Sequence, residues 1–318
     1  FLRRYFPSWK FPLPSQSLSL GSLTREIAPL FILNHSTNHI DHALCLVYNI
    51  DKQQPEMPTD QIPLEDDACD IIAKAIRGQD ITPQLLAQKA GISIGLLDSA
   101  LRGDHADSTL EKIAPILDLS ASALVGLADY QPETQLPDGL YRFVTPFGHA
   151  GVNAYAVITD HKALIFDTGT DASPILRFLT ENKLSVDALY ITHRHHDHTA
   201  GIPCLSKYHI VYPEDSADGD CKILTPHHKL TTLDVSGHAD PARAYLYEGL
   251  DVPICIVGDS VFAGSMGGTL NHEKYQLSLK TARANLLTLH PSTVICPGHG
   301  PLTTISNELK HNPFLNHV

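Results

Sequence analysis

The stretch Val186-Asp187-Ala188-Leu189-Tyr190-Ile191-Thr192-His193-Arg194-His195-His196-Asp197-His198-Thr199 joins an apolar run to a dense cluster of polar side chains. The run up to Ile191 contains β-branched and aromatic residues and is too short for a helix, so it predicts a buried strand. Strand side chains alternate between two faces, so only a loop at the strand end can aim several ligands at one point. The candidate ligands are His193, His195, Asp197 and His198. Imidazole nitrogens with a carboxylate oxygen favour zinc, iron or manganese over calcium or a soft copper site.

Further ligand-type residues lie just past other strand-like runs, each next to a glycine. They are His238 after Ser236-Gly237, Asp259 after Gly258, and His299 between Gly298 and Gly300. Glycine lets the backbone turn sharply at such positions. Two metal ions need more ligands than the first cluster supplies, so these segments are predicted to complete one site at the edge of a sheet.

The order of these residues resembles the metallo-β-lactamase superfamily. The pattern His193-x-His195-x-Asp197-His198, followed by His238, Asp259 and His299, matches its signature, and Asp167-Thr168-Gly169 matches its Asp-x-Gly turn. The resemblance extends over roughly residues 140–314. It is sharpest at 259–265, 297–305 and 312–314, which look like the glyoxalase II (hydroxyacylglutathione hydrolase) branch.

The resemblance implies two divalent metals, with zinc preferred and iron or manganese as alternatives. It implies that one metal is held by His193, His195 and His238 and the other by Asp197, His198 and His299, with Asp259 bridging the two. Such sites keep room for a water, which two cations ~3.5–4 Å apart convert to hydroxide at neutral pH. Asp197 and Asp259 are the expected catalytic residues. Asp167 is expected to orient a ligand histidine or the motif loop.

Several neighbouring residues keep two interpretations. Arg194 and His196 fill variable motif positions, where a solvent-exposed spacer and a substrate contact are equal alternatives. Asn153 and Tyr155 resemble an Asn-x-Tyr pattern of glyoxalase II-like proteins, and they either act at the site or only pin a loop. His149 lies in a loop that can reach the pocket, although a plain loop residue is favoured.

The composition of the whole chain narrows the function classes. It has 318 residues, a net charge of −12 and a hydrophobic content of 43%. The negative charge disfavours a general affinity for nucleic acid or anionic membranes. No apolar run reaches the ~18 residues that a transmembrane helix needs. The six cysteines form no Cys-x-x-Cys pair, which is typical of reduced thiols in a cytoplasmic protein.

Residues 1–56 differ from the rest of the chain. They show neither a helical nor a strand period, and their basic start lacks the apolar core of a signal peptide. The alternatives are a targeting or regulatory arm and a disordered or non-native leader before a natural start at Met57. The leader is the favoured interpretation.

The region 66–130 predicts a bundle of about five short helices. Thr82 and Ser93 are typical N-caps and Gly91 suits a helix end, and the spacing resembles a Cro/repressor-like helix-turn-helix. Residues 65–130 hold eleven acidic and five basic side chains, a net charge of −6, which disfavours phosphate binding and hence DNA binding. A protein-interaction or dimerisation module is predicted instead, and with it a homo-oligomer. The residues expected to face a partner or the catalytic domain are Ile94, Leu97 and Leu101.

The predicted fold class is α+β, with a small all-α bundle at 66–130, a linker at 131–139 and an αββα metallo-β-lactamase sandwich over 138–318. The predicted function is a binuclear metal-dependent hydrolase of a small-molecule thioester such as a hydroxyacylglutathione. A lactonase and a persulfide dioxygenase are alternatives on the same fold. The alternative of another class is a DNA-binding regulator that uses the metallo-domain as a sensor.

Overall fold

A helical segment opens the part of the chain that the structure, a computed structural model, describes: residues 62–132, 134–147 and 150–316. The expected leader at 1–56 and His149 lie outside the described residues. The α-helices of the segment are α1 Ala68–Gly78, α2 Pro83–Ala90, α3 Ile94–Ala100, α4 Asp107–Ile113 and α5 Ala121–Val125. Short 3-10 helices at Ala114–Leu117 and Gly126–Asp129 follow α4 and α5.

Local capping explains where these helices begin and end. Thr82 Oγ1 accepts a hydrogen bond from Leu85 N at 3.3 Å, and Ser93 Oγ accepts one from Leu96 N at 3.2 Å. Gly91 ends α2 with a φ of 62°, a left-handed conformation that costs glycine little. The sequence predicted one helix over 108–117. The structure changes from α to 3-10 geometry at Ala114, because the following Pro115 has no backbone N–H for an α-helical hydrogen bond.

Two sheets form the scaffold of the site. The first has the order β1-β2-β3-β4-β5 and contains β1 Leu140–Phe147, β2 Ala150–Thr159, β3 Lys162–Phe166, β4 Ser185–Tyr190 and β5 Ile210–Val211. The second has the order β13-β12-β9-β8-β7-β6 and contains β6 Cys221–Thr225, β7 His228–Asp234, β8 Arg243–Glu248, β9 Ile254–Gly258, β12 Val294–Pro297 and β13 Thr303–Thr304. β10 Val261–Phe262 and β11 Ser265–Met266 form a separate hairpin. The pairs β3–β4 and β9–β12 are parallel, so the carboxyl ends of each pair meet at one edge.

Helices connect and cover the strands. They are α6 Ser173–Glu181, α7 His196–Thr199, α8 Ile202–Leu205, α9 His272–Thr281 and α10 Ile305–His311. The sequence predicted a helix from His272 to Leu289, but α9 ends at Thr281 and a π-helix, Ala282–Leu286, follows. In this π-helix the Asn285 side chain donates to Asp234 O at 2.8 Å, which ties the helix to the end of β7.

The layers of the fold follow from the alternation of strand side chains. Tyr155 and Phe166 of the first sheet share a buried core with Tyr245 and Ile256 of the second, so the two sheets face each other. Residues of the opposite strand face, such as Ala154, pack with α6 and α8 in a separate core. The result is the mixed α/β arrangement of helices and sheets that the sequence predicts.

The helical segment belongs to the helix layer on the outer face of the second sheet. Its Ile72 and Leu97 lie in one hydrophobic core with Tyr275 of α9 and Ile305 of α10. Leu97 is fully buried and Leu101 packs against the same core, whereas Ile94 is 42% exposed. All described residues fall in one compact unit. The apolar face of α3 is therefore covered by the chain's own core at Leu97 and faces solvent at Ile94.

The structure departs from the expectation of reduced cysteines at one position. Cys69, Cys221, Cys255 and Cys296 are free thiols. Cys204 is disulfide-bonded, which departs from the expectation of reduced thiols throughout.

No helix in the described part of the chain has both the length and the apolar character that crossing a membrane requires.

Candidate metal centre

The centre lies where parallel strands of the first sheet end. β3 and β4 pair in register at Phe166 and Tyr190, so the residues that follow each strand meet. Asp167, just after β3, accepts a hydrogen bond on Oδ1 from Thr192 N at 2.8 Å. Beyond Thr192 the chain forms the loop that carries His193 and His195, and α7 carries Asp197 and His198. The predicted strand followed by a ligand loop is thus the observed local structure.

The second sheet supplies the remaining candidates from the ends of its own strands. β9 and β12 are parallel neighbours, and Gly298 N donates to Gly258 O at 2.9 Å. This places Asp259 beside the loop of His299. A Cβ atom at Gly298 would lie 2.1 Å from Asp259 Oδ1 and 2.6 Å from His198 Cε1. Any side chain at position 298 would therefore fill the centre.

One group of four side chains converges within 4.8 Å: His193, His195, His238 and Asp259. His195 Nδ1 lies 3.0 Å from His193 Nε2 and 2.9 Å from His238 Nε2. Asp259 Oδ2 lies 3.5 Å from His238 Nε2 and 4.0 Å from His193 Nε2. His195 is exposed while His193 is buried, so this group opens to solvent at His195.

A second group consists of the buried side chains of Asp197, His198 and His299. His299 Nε2 lies 3.3 Å from Asp197 Oδ2 and 3.5 Å from Asp259 Oδ2. His198 Nε2 lies 3.2 Å from Asp259 Oδ1. Asp259 therefore reaches both groups. The structure brings together all seven residues that the sequence singled out as metal ligands.

Hydrogen bonds behind the rings decide which nitrogen faces the centre. His238 Nδ1 donates to Gly268 O at 2.7 Å, His299 Nδ1 to Gly151 O at 2.9 Å, and His198 Nδ1 to Asp167 Oδ2 at 2.9 Å. Because carbonyl and carboxylate oxygens only accept, each ring carries a proton on Nδ1 and turns Nε2 toward the centre. Asp167 also accepts from Thr192 Oγ1 at 2.8 Å. It thus contacts both a histidine of the cluster and the motif loop, which are the two parts it was expected to orient.

The electrostatics of the centre favour positive charge. Burial lowers the pKa of His198, but the Asp259 and Asp167 carboxylates raise it to about 10 overall. Burial likewise lowers the pKa of His299, and Asp259 and Asp197 raise it to about 11. The pKa of Asp259 is held well below its usual value: burial raises it, but His299 and His198 outweigh burial. A divalent cation would take the place of the protons on these histidines.

The donor atoms fit such a cation. His198 Nε2 and Asp259 Oδ1 are buried, and neither has a hydrogen-bond partner among the described residues, although they face each other at 3.2 Å. Two ligands bound tetrahedrally at roughly 2.0–2.1 Å from one zinc ion lie about 3.3–3.4 Å apart. A ring nitrogen facing a carboxylate oxygen at this separation is the arrangement expected for two ligands of one metal.

Comparison with known proteins places the chain in a family. Residues 148–234 match the sequence profile of the metallo-beta-lactamase superfamily. The probable metallo-hydrolase YqgX of Bacillus subtilis (strain 168) is 31% identical over 205 residues, which cover 54% of this chain and 95% of that protein. The chain belongs to the metallo-beta-lactamase superfamily. Members of this superfamily bind divalent metals, typically two.

Two other proteins are similar to different shares of the chain. The hydroxyacylglutathione hydrolase of Actinobacillus pleuropneumoniae serotype 5b (strain L20) is 34% identical over 124 residues. That match covers 36% of this chain and only 51% of the hydrolase, so the chain spans about half of that relative. The crystal structure of the BLEG-1 B3 metallo-beta-lactamase is 25% identical, with a TM-score of 0.46 and coverage of 55% of this chain and 99% of that one.

The Asn-x-Tyr pair of this superfamily member pins the loop of His299. Asn153 Nδ2 donates to Pro297 O at 2.9 Å and to Gly300 O at 3.0 Å, and Tyr155 OH donates to Pro297 O at 2.8 Å. Both side chains are buried. Of the two interpretations left open by the sequence, the structure shows loop pinning.

Neither residue at the two variable motif positions, Arg194 and His196, is a member of a ligand group. Arg194 donates to Glu214 through Nε at 2.7 Å and Nη2 at 3.2 Å, and its guanidinium lies 4.0 Å from the centroid of the Tyr212 ring. His196 is exposed. Arg194 is therefore a spacer that binds the neighbouring loop.

Sequence reasoning missed a contribution from the helical segment. Glu65, just before α1, places Oε2 3.9 Å from His299 Nδ1. Burial raises the pKa of its carboxyl to about 7, an effect that His299 partly offsets. In the sequence Glu65 belongs to an acidic run before a helix, which is typical of N-terminal capping. No local signal connects it to His299.

Proposed function

We propose that this member of the superfamily is a binuclear metallohydrolase that cleaves a small-molecule thioester of the hydroxyacylglutathione type. The observation that carries the proposal is the shared carboxylate. Asp259 Oδ1 lies 3.2 Å from His198 of one group, and Oδ2 lies 3.5 Å from His238 of the other. The similarity to a hydroxyacylglutathione hydrolase over half of that protein supports the substrate class.

The proposed ligands follow the two groups. His193, His195 and His238 hold one metal, Asp197, His198 and His299 hold the other, and Asp259 bridges them. Zinc is the proposed metal, with iron and manganese as alternatives for the same donor types. Asp167 accepts the Nδ1 proton of His198, which leaves Nε2 as the nitrogen that would bind the metal.

The chain's own residues define what the site does to a bound acyl compound. Two divalent cations held by these residues would lower the pKa of a bound water and polarise the carbonyl group of the substrate. Burial raises the pKa of Asp197, but the hydrogen bond from His299 and the charge of His198 lower it overall. Asp197 is therefore ionised and acts only as an acceptor, which suits it to take a hydrogen bond from the attacking water and orient it. The exposed His195 marks the side on which substrate enters.

Metal analysis of the full chain, combined with a substrate panel, tests this function. The expected result is about two zinc ions per chain and turnover of a hydroxyacyl thioester. Asp197→Ala should lower turnover by several orders of magnitude while the far-UV circular dichroism stays unchanged. A single metal equivalent under metal-replete conditions contradicts the binuclear site. Hydrolysis of lactones alone reassigns the substrate class, and oxygen consumption with a persulfide reassigns the chain as a dioxygenase.

We also propose that residues 66–130 form a helix-turn-helix-like bundle that supports the 138–318 catalytic region and does not read DNA. The net charge of −6 over residues 65–130 and the exposed apolar Ile94 and Leu96 on α3 suit a nucleic-acid surface poorly. A salt-sensitive, sequence-selective shift of a labelled duplex by the full chain would instead favour the regulator. A homo-oligomer formed through this segment and a cytoplasmic location stay predictions, which sedimentation and cell fractionation test.

A further inference from the structure

The stretch that leads into α1 packs directly on the loop of His299. A Cβ atom at Gly300 would lie 3.3 Å from Glu65 N and 3.6 Å from Pro63 O. Gly300 has a φ of 76°, a left-handed conformation that side chains rarely adopt. The absence of a side chain at position 300 therefore allows the backbone of residues 63–65 to approach the loop between Pro297 and Pro301.

The Glu65 carboxylate lies behind His299, on the side away from its metal-facing nitrogen. Glu65 Oε2 is 3.9 Å from His299 Nδ1, while His299 Nε2 faces Asp197 and Asp259. Oε2 is buried and has no hydrogen-bond partner among the described residues. Burying a carboxylate oxygen without a partner is costly. A compensating interaction with the polarised imidazole of His299 explains its position.

Polar contacts hold this stretch against the centre. Asp66 accepts a hydrogen bond from Ser265 Oγ at 2.6 Å and forms an ion pair with Lys74 of α1. Lys74 Nζ also donates to Met266 O at 2.8 Å. Met266 precedes the Gly267-Gly268 pair, and Gly268 O accepts the proton of His238 Nδ1 at 2.7 Å. The helical segment thus contacts the supports of one histidine from each ligand group.

We propose that Glu65 is a positioning residue, which strengthens metal binding at His299 and couples the helical segment to the metal centre. This inference rests on the proposed binuclear function. A cation on Nε2 draws electron density from the ring and makes Nδ1–H more positive. The carboxylate 3.9 Å away stabilises that charge, in addition to the hydrogen bond from Nδ1 to Gly151 O. The effect is directed at the Asp197–His198–His299 group, because among the described residues His299 is the ligand histidine that Glu65 pairs with.

Zinc affinities of the full chain and its Glu65→Gln variant, measured by competition with a chromophoric chelator, test the proposal. Glutamine keeps the shape of the side chain and removes its charge. The expected result is about tenfold weaker binding of one zinc equivalent, with the other unchanged. The matched control is Asp67→Asn, which removes a negative charge two residues after Glu65. The Asp67 side chain caps α1 by accepting a hydrogen bond from Cys69 N at 2.8 Å. This control should keep both affinities.

A second measurement separates positioning from a merely structural role. In the metal-free chain, Glu65→Gln should unfold at the same temperature as the wild type or higher, because it removes a buried carboxylate oxygen that has no hydrogen-bond partner among the described residues. A lower unfolding temperature of the metal-free variant would assign Glu65 a structural role. Zinc affinities within twofold of the control, or an equal loss at both equivalents, would overturn the proposal while leaving the hydrolase function intact. A wild-type chain that binds no zinc would overturn both.

Discussion

Asp167→Asn isolates the contribution of one buried carboxylate to the metal centre. Asp167 accepts from Thr192 N on Oδ1 at 2.8 Å, and from Thr192 Oγ1 at 2.8 Å and His198 Nδ1 at 2.9 Å on Oδ2. Its backbone φ of 58° lies in the left-handed region, which asparagine tolerates as well as aspartate. The substitution therefore changes hydrogen bonding and charge without adding backbone strain.

The magnitude follows from the geometry around His198. The asparagine oxygen can still accept from Thr192 N, but its amide nitrogen replaces Oδ2 and donates. His198 Nδ1 then has to accept, which moves the ring proton to Nε2, the atom that faces Asp259 Oδ1 at 3.2 Å. A metal bound at Nε2 would return the proton to Nδ1, which in this variant faces the amide N–H and has lost its acceptor. Loss of a hydrogen bond to a charged group costs about 1.5–3 kcal/mol, which corresponds to roughly 10–100-fold in metal affinity.

Chelator competition on the full chain measures this loss directly. The zinc equivalent held with Asp197 and His299 should weaken, and the other should not. Asp171→Asn is the matched control, because Asp171 lies in the same loop and accepts a hydrogen bond from Ser173 N, at the start of α6, at 2.9 Å. Equal zinc affinities in Asp167→Asn and the control, with the fold intact by near-UV circular dichroism, would refute the assigned role of Asp167 in orienting His198.

Two further changes test parts of the structure outside the metal ligands. Burial raises the pKa of Glu308 from 4.5 to about 7, despite hydrogen bonds that include those from Asn312 and Tyr130. The pKa of Glu308 is higher in the folded state than in the unfolded state. The contribution of Glu308 to stability is therefore fully present below pH 4.5 and is lost as the pH rises to about 7. We expect the free energy of unfolding of Glu308→Gln, relative to that of the wild type, to rise by about 3 kcal/mol between pH 4.5 and about 7. Denaturant unfolding of the two metal-free chains measures this difference. Parallel curves of unfolding free energy against pH would contradict the raised pKa of Glu308. Arg194→Ala should lower the free energy of unfolding by less than about 1 kcal/mol, since the ion pair of Arg194 with Glu214 is exposed. The variant should also bind both metals. Loss of a metal would show that Arg194 does more than bind the neighbouring loop.

The sequence alone determined the order of the candidate ligands and the local structure that presents them. The run before Thr192 predicted a strand, and the density of histidines after it predicted a ligand loop. Glycines beside His238, Asp259 and His299 marked sharp turns after other strands. These features are local, because strand alternation, capping and the conformational freedom of glycine act within a few residues.

Tertiary structure decided which distant groups meet. Asn153 reaches the backbone of Gly300 across 147 positions, and Glu65 approaches His299 from before α1. The sequence also did not predict that the chain's own core covers Leu97 while Ile94 is exposed. Periodicity tells which face of an element is apolar, but not which segment covers it, because burial is set by packing between residues far apart in the chain.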